Sequence, residues 1–225
     1  MLRVRFTKTG LSSFLSHLDL MRTMERALRR AALPMAYTAG FNPRPRLSFG
    51  PALPVGTASL AEYLDVELQD PVDPEVVPAV LNPKLPAGIE ITGARLLEHR
   101  RKSLAAAICL ATYEVAMEEC GRVGVLEETV EQVLGQAQWV VPRSRDRAPG
   151  DIRGHISDLV LLTRTPTVRL HLALRMGPAG AVRPEEVLNG MAIRCGGCFD
   201  PVAVSITRTG LFAEVEGCLV PPWRT

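Results

Sequence analysis

Apolar and polar residues alternate at the start of the chain and then change to a helical spacing. Leu2, Val4 and Phe6 alternate with Arg3 and Arg5, which predicts a half-buried strand over residues 2–7. From His17 onward the apolar residues recur at the spacing of an amphipathic helix. The predicted buried side of this helix holds Leu18, Met21, Met24, Leu28 and Ala32, flanked by Leu20 and Ala31.

Residues at both ends of this helix predict where it begins and ends. Ser16 offers an N-cap oxygen, and Asp19 completes a capping-box pattern that also places negative charge at the positive end of the helix dipole. The helix is therefore predicted to begin near His17. Pro34 is expected to end it, because the prolyl ring and the restriction on the preceding residue both oppose helical continuation.

The rest of the first half predicts two extended segments, a short helix and a final strand. Residues 46–49 and 61–68 have the pattern of extended segments, and Asp73 before Pro74 predicts a short helix to about residue 82. A further strand is predicted over residues 89–97. The order strand, helix, strand, strand, helix, strand is that of the ferredoxin-like, split βαβ arrangement, with an antiparallel sheet.

The second half follows the same order more faintly, after a polar basic link at residues 99–103. Extended segments are predicted over 104–117, 138–142, 152–163, 167–174 and 202–206, with helices over 123–136 and from Arg183 onward, where Pro184 and two acids open the first turn. The predicted class is α+β, with two ferredoxin-like domains at residues 1–100 and 101–225.

Composition indicates a folded protein without a membrane span. Hydrophobic residues make up 47% of the chain and charged residues 22%, which suits a buried core. No run approaches the roughly 18 consecutive apolar residues of a membrane-crossing helix. The first ten residues alternate in character and lack the apolar stretch of a secretory signal, so a cytoplasmic protein with no membrane partner is expected.

The formal net charge of +2 hides an uneven distribution. Residues 1–61 contain nine basic residues and two acidic ones, so the remainder of the chain is acidic overall. A basic region of this kind suggests a polyanionic partner, through neutralisation of phosphates and release of counterions. The alternative is that carboxylates of the next segment fold back to balance the charge: Glu62, Asp65, Glu67, Asp70, Asp73 and Glu75.

The helix and the turn after it carry the candidate nucleic-acid site. Four arginines gather on the polar side of the helix, where Glu25 is the carboxylate predicted to meet them, and the Pro-rich turn projects aromatic and basic side chains that can stack on bases and meet phosphates. In the alternative interpretation the aromatic residues plug the core and the arginines are simply solvated. The candidate RNA-binding residues are Arg22, Arg26, Arg29, Arg30, Phe41, Asn42, Arg44, Arg46 and Phe49.

Histidines and cysteines offer weaker candidates. His17 lies at the helix start beside the arginines, where a general-base role is the alternative to a structural one. Cys195-Gly196-Gly197-Cys198 has the spacing of half a zinc or thiol-redox site, but a glycine-rich turn with incidental thiols is the default interpretation. A second basic loop holds Arg143, Arg145, Arg147 and Arg153. No nucleotide, flavin or iron–sulfur motif occurs, so no cofactor, metal or catalytic residue is predicted.

The stretch FLSHLDLMRTMERALRRAALPMAYTAGFNPRPRLSFGPALPVGTASLAEYLDVEL resembles the start of the bacterial radical SAM-linked protein family. The likeness is strong from Arg3 to Leu68 and weaker near residues 151–153 and 183–186. Where this chain has Arg44, the family more often carries a histidine, which counts against imidazole catalysis in the turn. The resemblance implies a domain that stands alone or is joined to a cobalamin-binding radical SAM protein, with no assigned activity.

Together these features predict a non-enzymatic protein that binds RNA or assists RNA modification. One alternative, implied by the resemblance, is an interaction module that docks a radical SAM enzyme. The other is a metal-independent endoribonuclease that uses His17.

Overall fold

The computed structural model describes residues 1–97, 103–118, 122–143, 148–165, 167–177 and 180–224. The chain divides into two compact units: unit 1 is Met1–Ile108 with Gly210–Thr225, and unit 2 is Cys109–Thr209. The polar link proposed between domains lies mainly outside the described residues. The C-terminal segment belongs to unit 1, although no sequence pattern indicated that it returns there.

Unit 1 contains the elements predicted for the first half of the chain, with an additional short helix. They are β1 (Leu2–Lys8), α1 (His17–Arg30), β2 (Leu47–Phe49), β3 (Ala58–Val66), α2 (Val77–Leu81), β4 (Ile89–Leu96) and α3 (Leu104–Ala107). The strands pair antiparallel in the order β4–β1–β3–β2. Val4 lies opposite both Leu64 and Ala94, and Leu64 also lies opposite Phe49. The predicted strands and helices of this half are thereby confirmed as elements.

The extended segment predicted over residues 104–117 is wrong at its start, where Leu104–Ala107 forms a helical turn. Three consecutive alanines have the highest intrinsic helix propensity, which explains the difference. The strand itself begins at Ile108.

The α1 helix packs on the apolar face of this sheet with a side that includes the predicted Met24 and Leu28 and the flanking Leu20. Its buried residues are Leu20, Met24, Ala27 and Leu28, which meet Leu2, Val4 and Phe6 in one core. Leu18 is 62% exposed, so its predicted place in the core is wrong. Apolar periodicity treats all aliphatic side chains alike, whereas the fully buried Ala27 shows that the helix approaches the sheet on its small-residue side.

Unit 2 is built from a second set of antiparallel strands with two helices. Its elements are β5 (Ile108–Glu118), α4 (Val123–Gly135), β6 (Val140–Val141), β7 (Gly150–Asp151), β8 (Ile156–Thr163), β9 (Thr167–Gly177), β10 (Gly180–Ala181), α5 (Pro184–Arg194) and the first part of β11 (Ser205–Val215). In this unit β9 pairs with β5 and with β8. Ser205 and Thr209 of β11 contact β5 at Ala116 O and Thr112 Oγ1, at 3.3 and 3.0 Å.

Two strand predictions in unit 2 begin too early. Residues Arg153–His155 form a 3-10 turn before β8, and β11 begins at Ser205 rather than Val202, which is 87% exposed. The turn is stabilised by Asp151, whose carboxylate accepts hydrogen bonds from the backbone N–H groups of Trp139 and Arg153 at 2.8 and 3.0 Å. Such side-chain acceptors compete with strand pairing and favour turns.

The C-terminal segment covers the polar face of the unit 1 sheet. After β11 the chain forms β12 (Cys218–Val220), and then Pro222 accepts a hydrogen bond from the Arg3 guanidinium. Arg3 also holds Asp65 in a buried bidentate pair, with Nε–Oδ1 at 2.6 Å and Nη2–Oδ2 at 2.9 Å. Trp223 meets the Tyr63 ring edge to face at 5.2 Å. One face of the unit 1 sheet therefore packs against an apolar core, and the other holds a buried charged pair.

No helix in the described part of the chain is both long enough and apolar enough to cross a bilayer.

Candidate nucleic-acid interface

The α1 helix places its four arginines on the surface of unit 1. Ser16 caps the helix as predicted, since its Oγ accepts a hydrogen bond from the Asp19 N–H at 3.2 Å and donates one to the Asp19 carboxylate at 2.7 Å. The apolar side of α1 is held against the sheet, so the opposite side must face solvent. All four guanidinium-bearing residues are exposed: Arg22, Arg26, Arg29 and Arg30.

Some of these arginines have carboxylate partners and others do not. Arg22 lies 3.5 Å from Asp19 and Arg29 lies 2.7 Å from Glu25, so Glu25 is not the single partner that was predicted. Both pairs are largely solvent-exposed, and such pairs contribute about 0.2–1 kcal/mol, which a polyanion can replace. Within the described residues, Arg26 and Arg30 form no salt bridge.

Arg26 and Arg30 line a groove beside α1, and Lys84 lines it from the opposite wall. The groove has a volume of about 760 Å³. Its other lining residues are Leu11, Ser12, Leu15, Thr23, Pro83, Leu85, Pro86 and Ala87, so none of the described residues that line it carries a carboxylate. Arg30 donates a hydrogen bond to the carbonyl of Lys84, which joins the two walls. The result is a basic groove with an apolar lining.

The other two arginines lie further round α1, toward the Pro-rich loop. The Arg29 guanidinium lies 6.0 Å from the centroid of the Tyr37 ring, at the base of the Pro-rich loop. At about 100° per residue, Arg22 shares this flank with Arg29, while Arg26 and Arg30 lie further round toward the groove. The predicted basic surface is therefore divided into a groove flank and a loop flank.

The loop of residues 37–46 is closed by backbone hydrogen bonds and exposes its tip. Thr38 N–H donates to Arg44 O at 2.9 Å, and Arg44 N–H donates back to Thr38 Oγ1 at 3.0 Å. Phe41 at the tip is fully exposed, and Asn42 and Arg44 are exposed beside it. Among the described residues the Arg44 side chain has no ion-pair partner. The loop therefore presents an aromatic ring, an amide and a cation to solvent.

Arg46 and Phe49 occupy different surroundings from the loop tip. Arg46 pairs with Glu67 at 3.1 Å, which realises in part the alternative that carboxylates of the next segment balance the basic charge. Phe49 lies in β2, half-buried against the unit 1 core, and its ring meets His17 edge to face at 5.6 Å. The structure thus brings His17 and Phe49 together but does not place Phe49 at the loop tip.

His17 is half-buried at the first position of α1. Over the described residues its ring has no hydrogen-bond or ion-pair partner, and its contact is with Phe49. A general base needs a positioned acceptor or donor within hydrogen-bond reach of the reacting proton. This environment gives the imidazole a packing role.

Lys84 is the interface residue that sequence inspection missed. It lies in the 3-10 turn Asn82–Lys84 that follows α2, and its side chain is exposed. A signal was present, because a single lysine stands between Pro83 and Pro86 in an otherwise apolar stretch. That signal does not reveal which wall the lysine will face, since the contact with α1 is formed across a separation of 54 residues.

The described arginines of the second basic loop form hydrogen bonds within unit 2. Arg143 forms a bidentate pair with Glu186, at 3.0 and 3.2 Å. Arg153 donates to the carbonyls of Ile156 and Leu134 at 3.0 and 2.9 Å. Arg145 and Arg147 lie outside the described residues. Arg143 and Arg153 are therefore engaged within unit 2.

Cys195 and Cys198 form a disulfide at the end of α5, so the interpretation of incidental thiols is wrong. Gly196 and Gly197 both adopt positive φ angles of 63° and 72°, a conformation that glycine permits and that lets the turn bring the two sulfurs together. Both cysteines are buried. In the described part of the chain, no cluster of His, Cys, Asp and Glu has the arrangement of a metal site.

Comparison with known proteins identifies a family for most of the chain. The model of a family described as "Uncharacterized protein conserved in bacteria (DUF2344)" matches residues 1–184. That range contains all of α1, the loop and the groove. No curated protein matches the chain.

Proposed function

Since the chain belongs to this family of uncharacterized proteins conserved in bacteria, we propose from its basic interface that it is a non-enzymatic RNA-binding protein of the cytoplasm. The observation that carries the proposal is the groove beside α1, which Arg26, Arg30 and Lys84 line and to which no described lining residue contributes a carboxylate. Three cations on one open surface repel one another unless an anion lies between them. A phosphate backbone supplies such anions at regular intervals.

The loop flank supports the same function by a second type of contact. Phe41 leaves its ring entirely in water, which is unfavourable for a large apolar side chain and is relieved when a base stacks on it. Arg44 stands close in sequence to meet the adjoining phosphate, and Asn42 can reach a base edge. The exposed pairs of Arg22 and Arg29 can exchange their carboxylates for phosphates at little cost.

The strand order is consistent with this function without deciding it. We propose that each unit is a ferredoxin-like domain, supported by the antiparallel order β4–β1–β3–β2 in unit 1 and by the β8–β9–β5 pairing, with β11 beside β5, in unit 2. This arrangement hosts many functions, so RNA binding is inferred from the interface and not from the fold.

The direct test is the salt dependence of binding to a short fluorescently labelled RNA. If three phosphates are neutralised on a single strand, log K should fall with log salt with a slope of about −2. The double variant R26Q/R30Q should weaken binding and make the slope shallower. The matched control is R175Q, which removes an exposed arginine from β9 in unit 2 and should leave binding unchanged. Absence of RNA binding at low salt would refute the proposal.

A second function, docking to a radical SAM enzyme, is proposed from the family resemblance, and one observation favours a protein partner. Leu11 and Phe14 of the 3-10 turn Gly10–Phe14 are 89% and 65% exposed, and Val55 is 60% exposed in a segment that contacts this turn, since Gly56 N–H donates to Ser13 O at 3.0 Å. Neighbouring exposed apolar residues mark protein interaction surfaces. Co-purification with a radical SAM protein, lost in F14E and unaffected by R26Q/R30Q, would select this function over RNA binding.

A further inference from the structure

We propose that the groove beside α1 accepts single-stranded RNA and holds one unstacked base against its apolar lining. This inference rests on the proposed RNA-binding function and specifies the form of RNA that the groove takes. It follows from the combination of side chains in the groove, which contains both cations and exposed apolar groups.

The cations of the groove are positioned to meet a phosphate. Arg30 is held by its hydrogen bond to Lys84 O, and Arg26 donates to Thr23 Oγ1 at 3.3 Å. Each guanidinium has five N–H donors, so most of the donors of both arginines remain for an anion. The groove therefore receives the backbone of a nucleic acid along the α1 wall.

The apolar lining is of no use to a duplex. Leu11 is 89% exposed, and Leu15, Leu85 and Pro86 continue the same apolar surface. A double-stranded RNA keeps its bases stacked inside and offers a protein its phosphates and 2′-hydroxyls. An unstacked base has two flat apolar faces, and covering Leu11 with one of them removes apolar surface from water. The groove volume of about 760 Å³ lies in the range of sites that enclose small organic groups.

The experiment compares three labelled probes of equal length: a single-stranded RNA, the duplex of the same sequence and a strand in which every base is absent. All three carry phosphates, but only the first presents unstacked bases. We expect the single strand to bind about tenfold more tightly than the abasic strand, and also more tightly than the duplex.

Two variants separate the base contact from the phosphate contacts. L11N should lower the affinity for the single strand by about fivefold without changing the salt slope, because no charge is altered. V202N is the matched control, since Val202 is 87% exposed, close to the exposure of Leu11, and does not line the groove. R26Q/R30Q should weaken all three probes. Circular dichroism verifies that each variant is folded.

The outcomes distinguish this inference from the function on which it rests. If the three probes bind equally and L11N has no effect while R26Q/R30Q weakens binding, the base contact is refuted and RNA binding stands. If no probe binds at low salt, the proposed function fails and the inference fails with it. Preference for the single strand, lost in L11N and kept in V202N, supports the inference.

Discussion

The helices that follow the first long strand of each unit, α1 and α4, have similar buried sides and opposite outer charge. Leu20, Met24, Ala27 and Leu28 bury α1, and Leu126, Thr129, Val130 and Val133 bury α4. The exposed part of α1 carries four arginines and two acids, whereas α4 carries Glu127, Glu128 and Glu131 and no basic residue. Packing on a sheet thus requires an apolar stripe on the helix but does not determine the charge of its exposed side. The basic charge of α1 therefore needs an explanation outside folding, and an anionic partner supplies one.

The largest expected effect is on the stability of the unit 1 sheet, on which α1 packs, when its buried Arg3–Asp65 pair is broken. Asp65→Ala leaves the Arg3 guanidinium buried opposite an apolar side chain, and breaking a buried pair in this way costs about 3–5 kcal/mol. Urea denaturation should show the lower midpoint. The double variant Arg3→Met with Asp65→Leu is the control and should recover most of the loss. A free energy of unfolding for Asp65→Ala within about 1 kcal/mol of the parent would contradict the assigned role of the pair.

Neutralising the outer charge of each helix tests the contrast itself. R26Q/R30Q in α1 should lower RNA affinity by roughly tenfold or more at low salt, because two phosphate contacts are lost. The equivalent double change in α4, E128Q/E131Q, removes two exposed carboxylates and should change affinity by less than about twofold. Fluorescence anisotropy at two salt concentrations measures both. An equal effect of the two variants would mean that only the net charge of the protein matters.

Substitutions at the N-caps of α1 and α4 should change stability by smaller amounts and in opposite directions. Ser16 caps α1 with a hydrogen bond, whereas the N-cap position of α4 is Arg122, which makes no side-chain cap. Ser16→Ala should therefore destabilise the protein by about 1 kcal/mol, and Arg122→Asp should stabilise it by about 0.5–1 kcal/mol through a cap and a favourable dipole. Thermal denaturation compares the two. Destabilisation by Arg122→Asp would show that the arginine has a contact beyond the cap.

The smallest expected effects are on the pH dependence of stability. Tyr63 in unit 1 acts at alkaline pH and Asp151 in unit 2 acts at acid pH. Burial raises the pKa of Tyr63, partly opposed by Arg5 and Arg3, so its contribution to stability is complete below the ordinary value of about 10 and is lost as pH rises beyond it. Hydrogen bonds from the backbone N–H groups of Trp139 and Arg153 lower the pKa of Asp151. The contribution of Asp151 to stability is present above its ordinary pKa of about 4 and is lost as pH falls through its lowered pKa in the folded protein.

Two single variants check these directions. Tyr63→Phe should flatten the alkaline end of a plot of stability against pH, and Asp151→Asn should flatten the acid end. Each variant is the control for the other, since neither should alter the opposite limb. A steeper alkaline loss in Tyr63→Phe would mean that another group in unit 1 governs it.

Much of the local structure of this protein could be read from short-range patterns. Ser16 with Asp19 located the start of α1, Pro184 opened α5, and alternating residues located β1 and β9, because caps, prolyl rings and side-chain periodicity act over a few neighbouring residues. The exposure of the four α1 arginines followed from the same periodicity. Leu18 was misplaced because the spacing of apolar residues does not say which aliphatic side chains the sheet will accept.

The sequence by itself determined most of the helices and strands and that the first half is basic, since these depend on local geometry and on counting charges. Only the tertiary structure decided that Arg26, Arg30 and Lys84 line one groove while Arg29 lies beside Tyr37, that Arg143 pairs with Glu186, and that Pro222 accepts a hydrogen bond from Arg3. Each of these contacts joins residues that are distant in the chain or chooses between two flanks of one helix. Such choices follow from how whole faces pack, because a side chain's partner is set by the element that lies opposite it.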